Sequence, residues 1–248
     1  MLLEFIIVAA VAFFICVLFY KQANEEFQIL QIDYERLQEL PTLYQDRSPI
    51  VVSDFPTPTL GTDQELQKRP QLLRMRITPT ESLGMILTNP QRLQSFPFQN
   101  ATAEWLAKES GLQIWFQQSL FEAIIPSSYT SWLYSAKTSL WPHHRGLFQT
   151  TAFQTVLMPT QGEVSVNLLM QKMIPYLPKS WKGRVFQSLT PQDTPLLQQI
   201  QYLEVKLRKG NLLILPAHMI VDVHTTSKDQ SAWIFQAELH HPISRLNT

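Results

Sequence analysis

The sequence predicts a mainly β domain with flanking helices, held behind one N-terminal transmembrane helix. Three patterns lead to this fold class. An uncharged apolar run fills residues 5–20, apolar residues at helical spacing recur as far as residue 120, and short alternating segments rich in Val, Ile, Leu, Phe and Thr fill most of the remainder. We therefore divide the chain into a transmembrane anchor at residues 1–20, a helical stem at residues 21–44 and one domain at residues 45–248.

The apolar run at the N-terminus is long enough to cross a bilayer. Residues 1–20 contain one charged side chain, Glu4, and a helix of that length measures about 30 Å, the thickness of the hydrocarbon core. A buried core helix without a polar face would need protein on every side. A cleaved signal peptide would need a basic start and a small-residue cleavage site, which neither Glu4 nor Phe19-Tyr20-Lys21-Gln22 provides. We expect an uncleaved, single-pass anchor.

Weaker signals bear on the side of the membrane that the domain occupies. Lys21 directly follows the span and favours a cytosolic domain by the positive-inside rule. The single cysteine, Cys16, lies within the span, so the domain forms no disulfide and does not need an oxidising compartment. Asn100-Ala101-Thr102 would accept a glycan in a lumenal domain. The cytosolic side is favoured, and the lumenal side stays open.

Composition and missing motifs exclude several functional classes. Hydrophobic residues make up 45% of the chain and charged residues 16%, so the domain is globular and not disordered. The 20 basic and 20 acidic residues cancel, and we expect no nucleic-acid binding. Gly-x-Ser-x-Gly and the phosphate-binding glycine motifs do not occur, which argues against nucleophilic and nucleotide chemistry.

Apolar residues at helical spacing predict the stem and the helices that precede the β-rich part. Residues 22–40 carry them on one face, with acidic residues between, and Pro41 ends the pattern. This predicts an amphipathic stem helix, either continuous or broken near Ile32, that packs on the domain or, alternatively, binds a protein partner. Further helices are predicted at residues 81–88 and 102–120, where Gly111 weakens the second helix.

Segments of five to eight residues, mostly alternating between apolar and polar side chains, predict antiparallel strands with one buried face. Val164-Ser165-Val166-Asn167-Leu168 shows the alternation. The dipeptide Gly210-Asn211 suits the tight turn of a hairpin, because both residue types tolerate positive φ. The predicted strands fall within residues 48–55, 152–158, 163–169, 201–207, 211–215, 219–224 and 231–239.

Residues 204–218 form the clearest local signature: a strand, a Gly-Asn turn, four apolar residues and then Pro216. This hairpin resembles the closing hairpin of cupin-like, JmjC-type domains. Residues 46–52 resemble the first strand of that family, and residues 146–151 followed by residues 162–166 resemble its metal-binding strand and the strand after it. The resemblance covers residues 45–240 and implies a double-stranded β-helix, the cupin or jelly-roll fold. The layout of anchor, stem and domain also resembles uncharacterised membrane proteins encoded by large DNA viruses.

Active members of the family bind Fe(II) through His-x-Asp/Glu and a distant His, and a lysine holds 2-oxoglutarate. The resemblance places Gln149, Thr151 and Val221 at the three metal positions and Val164 at the lysine position. Valine has no donor atom, threonine and neutral glutamine are weak iron ligands, and Val164 cannot pair with a carboxylate. His-x-Asp and His-x-Glu occur nowhere in the chain. The resemblance therefore implies the fold without a cofactor.

The histidines offer an alternative metal site. His143 or His144 could act with His218 and His224, and Asp222-Val223-His224 would place two ligands on one face of a strand. The simpler interpretation is that these are loop and surface histidines. Convergent carboxylates are scarce, so we expect no metal.

The segment Trp141-Pro142-His143-His144-Arg145 is predicted to be an exposed loop, and Trp141, His143, His144 and Arg145 are the candidate binding surface. Trp233 lies in an apolar strand and is expected in the core. These observations predict a membrane-anchored, non-catalytic cupin-like protein that acts as a binding or structural component, for example of a virion or organelle membrane. The alternative is a divergent Fe(II)- and 2-oxoglutarate-dependent hydroxylase.

Overall fold

The computed structural model of the protein describes most of the chain after the predicted anchor. Segments in which apolar and polar residues alternate form strands. Segments with apolar residues at helical spacing form short helices that pack on one side of these strands. The described residues are 11, 15, 28–44, 47–89, 98–125, 132–225 and 231–241.

Ten strands within these residues form two sheets. The larger sheet has the order β1-β2-β8-β5-β10-β3, and the smaller sheet has the order β4-β9-β6-β7. Neighbouring strands are antiparallel except for the parallel pair β1 and β2. The strands are β1 (Leu30–Asp33), β2 (Ile50–Ser53), β3 (Ser135–Pro142), β4 (Arg145–Gln149), β5 (Gln154–Gln161), β6 (Glu163–Leu169), β7 (Tyr202–Arg208), β8 (Leu212–Pro216), β9 (Ile220–Thr225) and β10 (Trp233–His240).

The last eight of these strands have the nested pairing of a jelly roll. Strand β3 pairs with β10, β4 with β9, β5 with β8, and β6 with β7. The chain thus behaves as one long hairpin rolled into two facing sheets, which is the double-stranded β-helix topology. The predicted fold class, mainly β with flanking helices, is confirmed by this strand order. The predicted strands are also found, with boundaries that shift by at most three residues.

Three apolar clusters hold the fold together. Alternation along the strands sends Val166 and Val221 of the small sheet and Ile234 of the large sheet into the barrel. The outer face of the large sheet packs against the N-terminal helices, with Phe235 among the buried residues. A third cluster lies beneath the connection between β6 and β7, where Trp181 is buried.

Among the described residues, the α-helices precede the barrel and are short. The helix predicted over residues 102–120 is two helices, because Gly111 takes a left-handed conformation (φ 84°) between them. The helix predicted over residues 81–88 forms at its centre. The α-helices are α1 (Leu40–Leu43), α2 (Asp63–Gln67), α3 (Pro70–Leu73), α4 (Leu83–Leu87), α5 (Asn100–Glu109), α6 (Leu112–Ser119) and α7 (Phe121–Ile124), and 3₁₀ helices form at Tyr34–Glu39, Gln171–Tyr176, Phe186–Ser188 and Leu197–Gln199.

The prediction of a continuous stem helix over residues 22–40 is wrong, because the described part of this segment is helical only after Asp33. Residues 30–33 form strand β1, which pairs in parallel with β2, and only residues 34–43 are helical. Strand β2 would otherwise leave backbone groups unpaired at the sheet edge, and strand pairing also buries Ile32. The large sheet therefore takes in part of the predicted stem, and the folded unit begins before residue 45.

The predicted anchor at residues 1–20 lies outside the described residues, apart from Val11 and Ile15. In the part of the chain that the structure describes, no helix has both the length and the apolarity of a membrane span. The anchor stays a prediction.

Asp63 joins the helical layer to the barrel. Its Oδ1 accepts a hydrogen bond from Trp233 Nε1 at 2.6 Å. Its Oδ2 accepts from Gln161 Nε2 at 2.7 Å and from the Ser231 hydroxyl, and its backbone N–H donates to Gln161 Oε1 at 2.7 Å. Because Trp233 is fully buried, no water can accept the hydrogen bond of its indole N–H in place of the Asp63 carboxylate.

We predict that Asp63→Ala lowers the free energy of unfolding by about 2–3 kcal/mol, because it leaves a buried indole donor without an acceptor. Glu65→Ala is the matched control, since Glu65 lies on the same helix and pairs with exposed Lys68. That change should cost less than about 1 kcal/mol. Urea unfolding followed by circular dichroism measures both. Equal effects of the two substitutions would contradict the role given to Asp63.

Candidate functional site

The barrel interior holds a half-buried arginine. Arg145 is the first residue of β4, and its guanidinium carbon lies 4.8 Å from the centre of the Trp141 ring and 3.9 Å from that of the Phe148 ring. Positions 145 and 148 would face opposite sides of a regular strand, but the pairing of β4 with β9 shifts register between them. The irregularity turns both side chains inward. Attraction between the cation and the ring faces offsets part of the cost of burying the charge.

Polar side chains of β10 complete the surroundings of Arg145. Its Nη1 donates a hydrogen bond to Gln236 Oε1, and Gln236 Nε2 donates to Glu238 Oε1 at 2.6 Å. Arg145 Nη1 lies 3.9 Å from the same carboxylate oxygen. Residues 236 and 238 are two apart on one strand, so both face the barrel. The guanidinium, the amide and the carboxylate form one connected polar group.

The half-buried charges of Arg145 and Glu238 remain ionised at neutral pH. Burial lowers the pKa of Arg145 to about 10, against the attraction of Glu238 and Glu104. Burial alone would raise the pKa of Glu238, but the hydrogen bond with His240 and the charges of Arg145 and Lys137 outweigh it, and the pKa falls below its ordinary value. Arg145 and Glu238 are therefore an ion pair in the folded protein.

A polar cavity of about 200 Å³ opens beside Arg145, at the end of the barrel where β3 begins and β4 ends. Gln149 and Thr151 line it together with Arg145. Lys137 Nζ and Glu104 Oε1, 2.8 Å apart, form an ion pair in its wall. The cavity therefore contains charges of both signs, and each of its cations already has an anionic neighbour.

The four positions assigned by family resemblance do not all meet in this cavity. Gln149 and Thr151 line it, whereas Val221 lies on the neighbouring strand, pairs with Phe148 and is fully buried in the barrel core. Val164 is also in the barrel core but lies near the start of β6, toward the opposite end of the small sheet. Two positions come together, one is adjacent, and one is distant.

These residues do not fit a catalytic iron. A facial triad needs two imidazoles and a carboxylate, whereas Gln149 and Thr151 offer weak neutral oxygens and Val221 offers none. The carboxylate that faces the barrel, Glu238, is already paired with Arg145. Val164 has no charge to bind the carboxylate of 2-oxoglutarate.

The prediction that Trp141, His143, His144 and Arg145 form an exposed loop is wrong. Trp141 belongs to β3 and Arg145 to β4, so only a tight turn remains between the strands. His143 is buried in that turn with φ 55°, and its N–H donates to Ala232 O at 2.8 Å. Burial lowers the pKa of both His143 and His144. The segment crosses from β3 in the large sheet to β4 in the small sheet. Side-chain alternation along these strands turns Trp141 and Arg145 toward the barrel.

Asp222 and His224 lie side by side on the outer face of the small sheet, as their spacing predicts. His224 Nδ1 is 3.3 Å from Asp222 Oδ2, and Asn167 Nδ2 donates to the same oxygen at 3.3 Å. His218 lines a different cavity. Within the residues that the structure describes, no three His, Cys, Asp or Glu side chains are placed to bind one metal ion.

Ser165 is the cross-strand neighbour of His224, so a serine, a histidine and an aspartate share one face of the small sheet. They do not form a catalytic triad. His224 Nε2 contacts Gln187 Nε2 at 2.9 Å, and Ser165 Oγ is buried without a hydrogen-bond partner among the described residues. A nucleophile would need a base within hydrogen-bond reach.

The polar partners of Arg145 were missed by sequence patterns. Gln236, Glu238 and His240 lie in a strand whose alternate residues, such as Phe235, are buried against the helices. A period-two polar stripe in a strand expected to be buried is a signal for a polar barrel interior.

No family model and no curated protein sequence matches the chain. Among solved structures, the Drosophila melanogaster CENP-C cupin domain is 12% identical with a TM-score of 0.26, covering 41% of this chain and 57% of that chain. Drosophila melanogaster CENP-C bound to CAL1 is 12% identical with a TM-score of 0.25, covering 41% and 62%. Hydroquinone 1,2-dioxygenase from Sphingomonas sp. TTNP3 with 4-hydroxybenzoate bound is 15% identical with a TM-score of 0.29, covering 44% and 61%.

The chain thus spans about three fifths of the length of the solved structures it matches. The double-stranded β-helix fold of the chain follows from the nested pairing of strands β3 to β10.

We predict that Arg145→Ala lowers the free energy of unfolding by about 2 kcal/mol, because it leaves the partly buried Glu238 carboxylate without its neighbouring cation and opens space beside two rings. Lys137→Ala is the control: its ion pair with Glu104 is exposed, and removing it should cost less than about 1 kcal/mol. Chemical denaturation of both variants measures the difference. A cost for Arg145→Ala no larger than that of the control would contradict the buried pair.

The lowered pKa of Glu238 predicts a specific acid sensitivity. The ordinary value is 4.5, so below that pH the unfolded chain binds more protons than the folded one, and stability falls as the pH drops through the folded-state pKa. Glu238→Gln removes this contribution. The free energy of unfolding should therefore fall less steeply below pH 4.5 in Glu238→Gln than in the unaltered protein. Identical slopes for the two proteins would refute the assignment.

Proposed function

We propose that this protein is a membrane-anchored, non-catalytic cupin-like protein that acts as a binding or structural component. One observation carries the proposal: Arg145 packs on the Trp141 and Phe148 rings, pairs with Glu238 and leaves only a polar cavity of about 200 Å³ beside Gln149 and Thr151. An oxygenase needs open coordination positions in that region for cosubstrate and oxygen. Here the region holds a satisfied ion pair.

The proposal includes attachment to a bilayer through residues 1–20, because their length and lack of charge suit a membrane span. Tethering then contributes to function directly, since it holds a binding domain at a membrane surface. The resemblance to JmjC-type domains and to membrane proteins of large DNA viruses belongs to the same proposal. It suggests a component of a virion or organelle membrane, present in stoichiometric amounts and turning over no substrate.

Isothermal titration with Co(II), a surrogate for Fe(II), in the presence of 2-oxoglutarate tests the absence of catalysis. We expect the full chain in neutral detergent to show no saturable heat, because Gln149, Thr151 and Val221 supply no strong ligand. His218 and His241 line a separate cavity and could bind Co(II) weakly. A His218→Ala/His241→Ala variant removes this source of heat and serves as the control. Stoichiometric uptake that survives in this variant would overturn the proposal in favour of a divergent hydroxylase.

A further inference from the structure

A second cavity, of about 480 Å³, lies on the outer side of the large sheet at the same end as the barrel mouth. Ile50 of β2, Gln154 of β5 and Ile214 of β8 contribute to its floor from three adjacent strands. Thr151 lines both this cavity and the one beside Arg145. Its volume is in the range of small-molecule sites, and the ion pair in the barrel does not reach its lining residues.

The walls of this cavity combine aromatic rings with basic side chains. The Tyr134 ring centre is 5.7 Å from that of Phe153 and 5.0 Å from that of His241. Arg47 and His218 also line the cavity, and no Asp or Glu does so within the described residues. An apolar, aromatic surface with an excess of basic groups favours an amphiphile that carries an anionic head.

Tyr44 adds a neutral hydrogen-bond donor to the same wall. Burial raises the pKa of its hydroxyl, with the Gln154 side chain opposing the shift. The hydroxyl therefore stays protonated, and it does not repel an anion.

The register of the large sheet places this cavity on the side from which the N-terminal segment reaches the domain. Leu30, the first residue of β1, pairs directly with Ile50, which lines the cavity. Nine residues lie between Tyr20, the end of the predicted anchor, and Leu30, and the ten extended steps from Tyr20 to Leu30 span at most about 35 Å. The tether therefore keeps this end of the barrel close to the bilayer.

Exposed residues at the same end suit a membrane interface. Trp132 is 80% exposed and lies three residues before β3, two residues from Tyr134 in the cavity wall. Tryptophan and tyrosine favour the level of lipid head groups, and basic residues near the surface are attracted to anionic lipids.

We infer that this cavity binds the head group of an acidic phospholipid from the bilayer that holds the anchor. Arg47 pairs with the phosphate, His218 and His241 line the head-group end, and the Tyr134 and Phe153 rings cover the start of an acyl chain. The inference rests on the membrane attachment proposed above. It gives the tethered domain a lipid ligand and thereby fixes its orientation on the membrane.

The test reconstitutes the full chain into vesicles of phosphatidylcholine with or without phosphatidylserine, floats them on a density gradient, and measures retained lipid by native mass spectrometry after release into neutral detergent. We expect the unaltered protein to retain phosphatidylserine in preference to phosphatidylcholine. Arg47→Asn should reduce retention about fivefold, because one basic residue near an anionic surface contributes about 1 kcal/mol. Asparagine suits the left-handed backbone of Arg47 (φ 49°).

Lys209→Asn is the matched control, because Lys209 is an exposed cation in the turn between β7 and β8, at the opposite end of the barrel. It should retain phosphatidylserine like the unaltered protein. His218→Asn is a second cavity variant, also at a left-handed position (φ 69°), for use if Arg47→Asn unfolds. Circular dichroism checks that each variant is folded.

Three results would overturn the inference: equal retention of the two lipids, unchanged retention in both folded cavity variants, or loss of bound lipid to competing glycerol phosphate, which would indicate a soluble phosphate ligand. Flotation separates this failure from failure of the proposed function. A chain that floats without retaining phosphatidylserine loses only the lipid site. A chain that does not float loses the membrane attachment and the lipid site with it.

Discussion

The charge of Arg145 inside the barrel limits what the rest of the structure can do. A guanidinium removed from water needs electrostatic compensation on every side, and here the rings of Trp141 and Phe148 and the polar groups of β10 supply it. This arrangement depends on the irregular β4–β9 pairing, which turns residues 145 and 148 to the same side. Arg145 and its partners therefore stand beside the predicted metal positions Gln149 and Thr151.

One end of the barrel carries most of the features that suggest function. The mouth beside Arg145, the aromatic and basic cavity around Tyr134, and the first residue of β1 all lie at that end of the large sheet. The pairing of β1 with β2 holds Leu30 beside Ile50, which lines the aromatic and basic cavity. A domain held to a membrane at this end would present both cavities toward the lipid and its opposite end, around Lys209, toward solvent.

The sequence predicts the fold well because each strand has one buried face and therefore a period-two pattern. It predicts the start of the domain poorly. The apolar spacing in residues 22–40 predicts a helix, whereas β1 forms because it can pair with the edge of β2. The candidate site fails for a similar reason. The polar residues in Trp141-Pro142-His143-His144-Arg145 suggest an exposed loop. The local sequence does not indicate that Glu238, far along the chain, lies beside Arg145 inside the barrel.

An ion pair and two rings occupy the barrel beside the predicted metal positions. A crystal structure of the full chain soaked with Mn(II) and 2-oxoglutarate would show whether a metal binds there. We expect the Arg145 guanidinium to stay against Trp141 and Phe148, with no metal density beside Gln149, Thr151 and Val221. Metal density at those residues, or Arg145 displaced from the rings by a bound 2-oxoglutarate, would show instead that this part of the barrel is open to an oxygenase site.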